Sequence, residues 1–137
     1  MVKTDIRVIY GDTDQAGVVY HGNYLRYFEA GRNEFLRAEG LIYRELEAKY
    51  RVHLPVVDAQ ITYKTPGRFD DVLTVETEIA RLGRASLRFE YRVVRGEVLV
   101  ATGHTVHACV SFDGQVQRLP ETVRAQLAAS TSGFRDT

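Results

Sequence analysis

The sequence predicts an α+β fold in which one antiparallel sheet carries a long helix across one face. Three observations predict it. From Asn23 to Gly40 apolar residues recur at three- and four-residue spacings. After Pro55 the period falls to two and holds almost to the end. The order is therefore one strand, the long helix, then four strands of antiparallel type.

Each element follows from its own residues. Residues 5–10, DIRVIY, alternate with Ile6, Val8 and Tyr10 on one side, and Gly11-Asp12 is a turn signal, which makes this the first strand. In the helix, Tyr24, Leu25, Phe28, Phe35 and Leu36 form the apolar side, Arg26, Glu29, Arg37 and Glu39 are left for the other, and Gly40 is the stop. Gly31 lowers the intrinsic stability of that helix, which points to a turn pressed closely on a sheet. Residues 41–50, LIYRELEAKY, form a second helical piece that Pro55 ends.

In VVDAQITYK, Val57, Ala59, Ile61 and Tyr63 share one face, and Thr65-Pro66-Gly67 breaks the strand. In DVLTVETEIARL, Leu73, Val75, Thr77 and Ile79 oppose Thr74, Glu76 and Glu78. Leu87, Phe89, Tyr91 and Val93 then oppose Arg88, Glu90 and Arg92, with a turn at Arg95-Gly96-Glu97. A last strand from Val98 to Phe112 closes at Asp113-Gly114. After Pro120, ETVRAQLAAS reads as a short helix, and residues 131–137 are expected to be a flexible tail. One domain over residues 1–130 is expected, since the chain is long enough for one real core and too short for two. The alternation leaves one sheet face half polar, and such a sheet is expected to pair with another copy.

Composition excludes several classes. Lys+Arg and Asp+Glu number 18 each, so there is no basic excess with which to hold nucleic acid. Cys109 is the only cysteine, which rules out an intramolecular disulfide. The start MVKTDIRVIYGD lacks the apolar run of a signal peptide, and no window approaches the roughly 20 apolar residues of a membrane span. A soluble cytoplasmic protein without a transmembrane segment is expected.

The densest chemistry lies in residues 11–24, GDTDQAGVVYHGNY, between the first strand and the helix. Asp12, Thr13 and Asp14 are good turn and capping residues, and that reading stands beside a functional one. The functional reading rests on spacing. Asp14 lies too far before Tyr24 for a simple cap, and Gly17 and Gly22 let backbone amides face outward or a ligand approach closely. A carboxylate beside a helix N-terminus suits acyl transfer to water: the acid attacks or activates water while the amides stabilise the oxyanion. His21 is either a general acid or hydrogen-bond donor, or a cap; Asn23 is an orienting or capping group.

Other constellations carry less. His104 and His107 lie three apart on a strand and face opposite ways, so they are not side-by-side metal ligands, and no metal site is expected. GHTVH reads as a strand with one buried or interfacial histidine. Ser86, Cys109 and Ser111 lack the setting of a nucleophile. RLGRASLR lacks the Lys-Ser/Thr of a phosphate loop, and Arg81, Arg84 and Arg88 form either a solvated face or a clamp for phosphates.

The run from Tyr10 to Tyr24, followed by YFEAGRNEFLR, resembles the signature of the hotdog-fold acyl-CoA thioesterases of the 4-hydroxybenzoyl-CoA thioesterase class. The form Val-Tyr-His-Gly-Asn-Tyr is most similar to the bacterial branch associated with the Tol-Pal cell-envelope operon. The resemblance spans about residues 3–128. It implies a hotdog fold, an antiparallel five-stranded sheet wrapped around a long central helix.

It further implies hydrolysis of acyl-CoA to free acid and coenzyme A, with Asp14 as nucleophile or general base and the His21 backbone amide polarising the thioester carbonyl. Gly17 and Gly22 then serve the close backbone approach, and Tyr20 and Asn23 shape the loop. Arg84 and Arg118 fall in regions where the class binds the nucleotide and phosphates of coenzyme A. No cofactor is implied beyond the coenzyme A of the substrate. An acyl carrier protein is left open as the carrier, and a homodimer or homotetramer is implied. Two other readings share the architecture: a hotdog hydratase or dehydratase, and a non-catalytic acyl-thioester binder of an envelope complex.

Overall fold

The long helix α1, Asn23–Ala38, buries Tyr24, Tyr27, Phe28, Gly31, Phe35 and Leu36, the three- and four-residue spacing of a single seam. Leu25 falls beside that seam and is 43% exposed; Tyr27 takes the place expected for it. In the computed structural model, which describes residues 1–131, the seam lies on a five-stranded sheet.

The sheet is built from β1 (Val2–Arg7), β3 (Val56–Tyr63), β4 (Val72–Leu82), β5 (Ser86–Arg95) and β6 (Val98–Ala108) in the order β1-β4-β5-β6-β3, with every neighbour antiparallel. A second helix α2, Tyr43–Tyr50, leads to the two-residue strand β2, Val52–His53, which pairs with β7, Val110–Ser111, in a separate ribbon. Helix α3, Glu121–Ala128, packs against β4. This is the hotdog arrangement, a helix wrapped by an antiparallel sheet.

The central strands follow their alternation. Leu73, Val75, Thr77 and Ile79 are fully buried beneath α1, as are Leu87, Phe89, Tyr91 and Val93 beside them. Gly31 shows why this helix needs a glycine. A Cβ there would stand 2.6 Å from Thr77 Oγ1 and 2.8 Å from Val75 Cγ1, so a hydrogen is all that fits between helix and strand. Phe28 stacks face to face on Tyr91 at 4.1 Å one turn earlier.

Three expectations change. The first strand ends at Arg7 rather than Tyr10: the chain enters a tight 3-10 turn at Tyr10–Asp12, and Tyr10 is 75% exposed, stacked on Phe69 at 4.0 Å. The last long strand breaks at Cys109. Its neighbour β5 begins at Ser86, opposite Ala108, and beyond that point the chain transfers to β2. On the face of β3 that carries Ala59, Ile61 and Tyr63, only Ile61 packs against the core while Ala59 and Tyr63 are exposed, because β3 is an edge strand with no strand beyond it among the described residues. Of the tail, Thr131 bridges to Ile79, and residues 132–137 lie outside the described residues.

Under α1 runs a buried chain of hydrogen bonds. His107 is 2% exposed; its Nδ1 donates to the Leu54 carbonyl at 2.9 Å, so Nε2 accepts from the Thr105 hydroxyl at 2.8 Å. With its single hydrogen committed, Thr105 accepts from the Tyr91 hydroxyl at 2.6 Å. Burial pushes the His107 pKa down to about 4, with the Arg32 charge adding to the shift, so the ring is neutral at pH 7. His104, three residues earlier, faces the other side of the sheet and contacts Asp58 and Arg88.

Candidate active site

The loop between β1 and α1 folds around Asp12. Its carboxylate is buried at 5% exposure and accepts from the Tyr27 hydroxyl at 2.9 Å, the Ile9 amide at 3.3 Å and Arg26 at 3.3 Å. Its carbonyl accepts from the Asn23 side-chain amide at 2.8 Å and from the Tyr20 amide at 2.9 Å. One residue thus ties the end of β1, the loop and two turns of α1. Burial, then the bond to Asp12, raises the Tyr27 pKa, so the phenol stays protonated and keeps donating. The Thr13 hydroxyl donates to the Tyr10 carbonyl at 2.8 Å. The Asp12 and Thr13 side chains are thus both engaged in holding the loop and the first turns of the helix.

Asp14 is different. It starts a tight turn in which the Gly17 amide donates to the Asp14 carbonyl and the Asp14 amide to the Val18 carbonyl, each at 2.9 Å. Gly17 has φ +82°, the left-handed region that favours glycine. Asp14 Oδ1 accepts from the Ala16 amide at 2.9 Å, which orients the carboxylate, while Oδ2 has no partner among the described residues. The side chain is exposed, and it lines a cavity of about 350 Å³ together with Val18, Val19, His21, Tyr24, Tyr63, Lys64, Thr65 and Pro66.

Helix α1 begins at the same cavity. The Asn23 amide bonds the Tyr20 carbonyl at 2.8 Å, whereas the His21 and Gly22 amides have no acceptor among the described residues. The structure therefore brings Asp14 and His21 together at one opening, with free amides of a helix N-terminus beside an oriented carboxylate. Tyr20 is half exposed and lies against the His21 ring at 4.4 Å; a Cβ on Gly22 would crowd the Tyr20 ring at 3.1 Å. The Asn23 side-chain amide ties the helix start to the loop through the Asp12 carbonyl.

Arg84 and Arg118 are not brought to this opening within one chain. Both side chains are exposed, and the Arg84 carbonyl accepts from the Leu119 amide at 2.8 Å, so the two arginines are near neighbours at the β4–β5 turn. That turn precedes Ser86, which pairs with Ala108, whereas Tyr63 at the cavity pairs with Ala101 near the other end of β6. Sequence reasoning missed Lys64 at the cavity and gave Tyr63 only a place on a strand face. Neither carries a local signal, because the loop that they meet lies more than 40 residues earlier in the chain.

Comparison with known proteins agrees with this architecture. A family profile described as the thioesterase-like superfamily matches residues 8–127. The chain belongs to that superfamily. An acyl-CoA thioesterase, YbgC of Haemophilus influenzae, is 36% identical over 107 residues, covering 78% of this chain and 79% of that protein. Among solved structures, a hypothetical protein from Thermus thermophilus superposes with a TM-score of 0.90 at 41% identity, over 93% of this chain and 98% of the other. A gentisyl-coenzyme A thioesterase superposes with a TM-score of 0.85 at 29% identity, over 92% and 99%. Thioester hydrolysis is the enzymatic activity that goes with this membership.

Proposed function

We propose that the protein hydrolyses acyl-coenzyme A thioesters, with Asp14 attacking the carbonyl carbon or activating a water, and with the His21 backbone amide donating to the developing oxyanion. The observation that supports this most is the convergence of an oriented carboxylate and unpaired helix-start amides on one cavity. Both parts of acyl transfer then act on one carbon. The thioester is already activated, so the proposed reaction needs no metal or cofactor besides the coenzyme A of the substrate. The histidine–carboxylate contacts among the described residues, His53 with Glu47 and His104 with Asp58, lie away from the cavity, which favours hydrolysis over hydration.

The proposed assembly is a homodimer, or a pair of dimers, joined through β3. Its open edge exposes Val56 at 44%, Val57 at 60% and Tyr63 at 49%. A two-fold axis at an antiparallel edge reverses one sheet against the other. The Arg84–Arg118 turn of one protomer would then stand at the end where the other keeps Asp14, in place to meet the phosphates of coenzyme A. The motif Val19-Tyr20-His21-Gly22-Asn23-Tyr24 supports affiliation with the Tol-Pal-associated branch. We place the action in the cytoplasm; no described helix is long and apolar enough to cross a membrane.

Thiol release from a panel of acyl-CoA thioesters, and from acyl carrier protein thioesters, tests the reading. Asp14→Asn is expected to lower kcat at least 10³-fold while retaining substrate binding. Unchanged thioester cleavage by that variant would remove Asp14 from the mechanism.

A further inference from the structure

The start of α1 is weakly built by its own residues. Its N-cap is Gly22, which offers no side-chain cap, and the first-turn bonds from Tyr24 to the His21 carbonyl and from Leu25 to the Gly22 carbonyl are long, at 3.4 and 3.3 Å. A helix end of this kind frays unless something outside holds it. Two side chains do so. Asn23 ties the end to the loop through the Asp12 carbonyl. Tyr63, the last residue of β3 and 42 positions away, donates its hydroxyl to the His21 carbonyl at 3.1 Å.

The Tyr63 ring is also held. It meets Tyr24 edge-on at 5.6 Å and the His21 ring edge-on at 6.3 Å, while Tyr24 accepts a hydrogen bond from the Gly67 amide at 3.3 Å. The phenol is therefore a fixed donor. It constrains the His21–Gly22 peptide from the side of the sheet, while the Asn23 backbone amide, bonded to the Tyr20 carbonyl at 2.8 Å, constrains the neighbouring Tyr20–His21 peptide.

We propose that Tyr63 is a positioning residue for hydrolysis: its hydroxyl holds the His21 carbonyl, and with it the His21–Gly22 peptide, so that the helix-start amides on either side of the His21 α-carbon keep their aim at the thioester oxygen. This rests on the reading of Asp14 and the His21 amide given above. An amide that donates along the carbonyl direction stabilises the oxyanion, and one free to rock delivers less of that energy in the transition state. The group that aims the amide sits at the end of the open edge strand β3, so the aim depends on how well that strand is held.

Tyr63→Phe removes the hydroxyl and keeps the ring. Because Tyr63 is half exposed, the variant is expected to fold with a near-native thermal midpoint. It should lower kcat about tenfold, less than the roughly 10²–10³-fold for deletion of an oxyanion donor, with KM changed by less than about twofold. A spectroscopic readout separates aiming from general structure. The infrared carbonyl stretch of a ¹³C-labelled acyl-CoA bound to Asp14→Asn should lie at lower frequency than when bound to Asp14→Asn/Tyr63→Phe. An unchanged kcat, an unchanged carbonyl frequency, or a raised KM at constant kcat overturns the proposal. If Asp14→Asn alone keeps hydrolysing, the reading of Asp14 fails instead, and the carbonyl frequency in the single variant Tyr63→Phe, read with a non-hydrolysable acyl-CoA analogue, still decides the role of Tyr63.

Discussion

Acidification tests the buried chain that ends at His107. In the unfolded protein the imidazole titrates near its ordinary value of 6.5, and in the fold burial holds it at about 4. The native state therefore refuses a proton that the unfolded state accepts, and stability rises with pH wherever the two differ. The contribution is complete above pH 6.5 and is lost progressively as pH falls towards 4. Each pH unit of that window is worth about 1.4 kcal/mol, so His107 alone removes about 3 kcal/mol across it. A protonated Nε2 also can no longer accept from Thr105.

Urea unfolding at fixed protein concentration, for the wild type and His107→Gln between pH 7.5 and 4, isolates the effect. Carboxylate titrations are common to both proteins and cancel in the difference. The wild type should lose about 3 kcal/mol more than the variant over the window. Parallel pH profiles would refute the assignment of a buried, neutral His107.

The remaining predictions concern the frame of the site. Gly31→Ala should destabilise the protein by about 1–3 kcal/mol in denaturant unfolding, since the clash with Thr77 and Val75 outweighs the helix propensity that alanine gains; a stabilised variant would contradict the close packing. Asp12→Ala leaves the Tyr27 hydroxyl without its partner and should cost about 1–3 kcal/mol. Because the same residue holds the loop, thiol release should fall with it even where the variant is fully folded. Asp14→Asn, by contrast, should leave the unfolding midpoint near wild type while abolishing turnover, since the exposed carboxylate gives little to the fold.

What was legible in the sequence is what one strand or helix reports about itself. In β4 and β5, Leu73 to Ile79 and Leu87 to Val93 alternate because each strand has a helix on one side only and neighbours on both edges. Gly31 announced a close approach because a glycine in mid-helix needs a reason. Edge position is not written locally: Ala59, Ile61 and Tyr63 alternate like core residues, yet strand order leaves Ala59 and Tyr63 exposed and Ile61 only partly buried. The break at Cys109 depends on where β5 begins, and the exposure of Tyr10 depends on the turn that Asp12 stabilises from within. At the candidate site, Asp14 and His21 stood out because they lie in one short stretch. Tyr63 and Lys64 join them only through tertiary folding, and the Arg84–Arg118 pair is separated from them by the length of the sheet.

The contact at Gly31 has a consequence for the evolution of substrate range. With no room for a methyl group between helix and strand, α1 can neither slide nor roll on the sheet without a matching change in β4. The helix whose first turn meets the cavity is thus a fixed datum. Selection for a longer, shorter or more polar acyl chain would have to act on parts that are free to vary: the loop before the helix, the segment from Tyr63 to Pro66, and whatever a second copy places along the open edge. Variants that differ in acyl preference should accumulate their changes there, leaving the helix axis where it is.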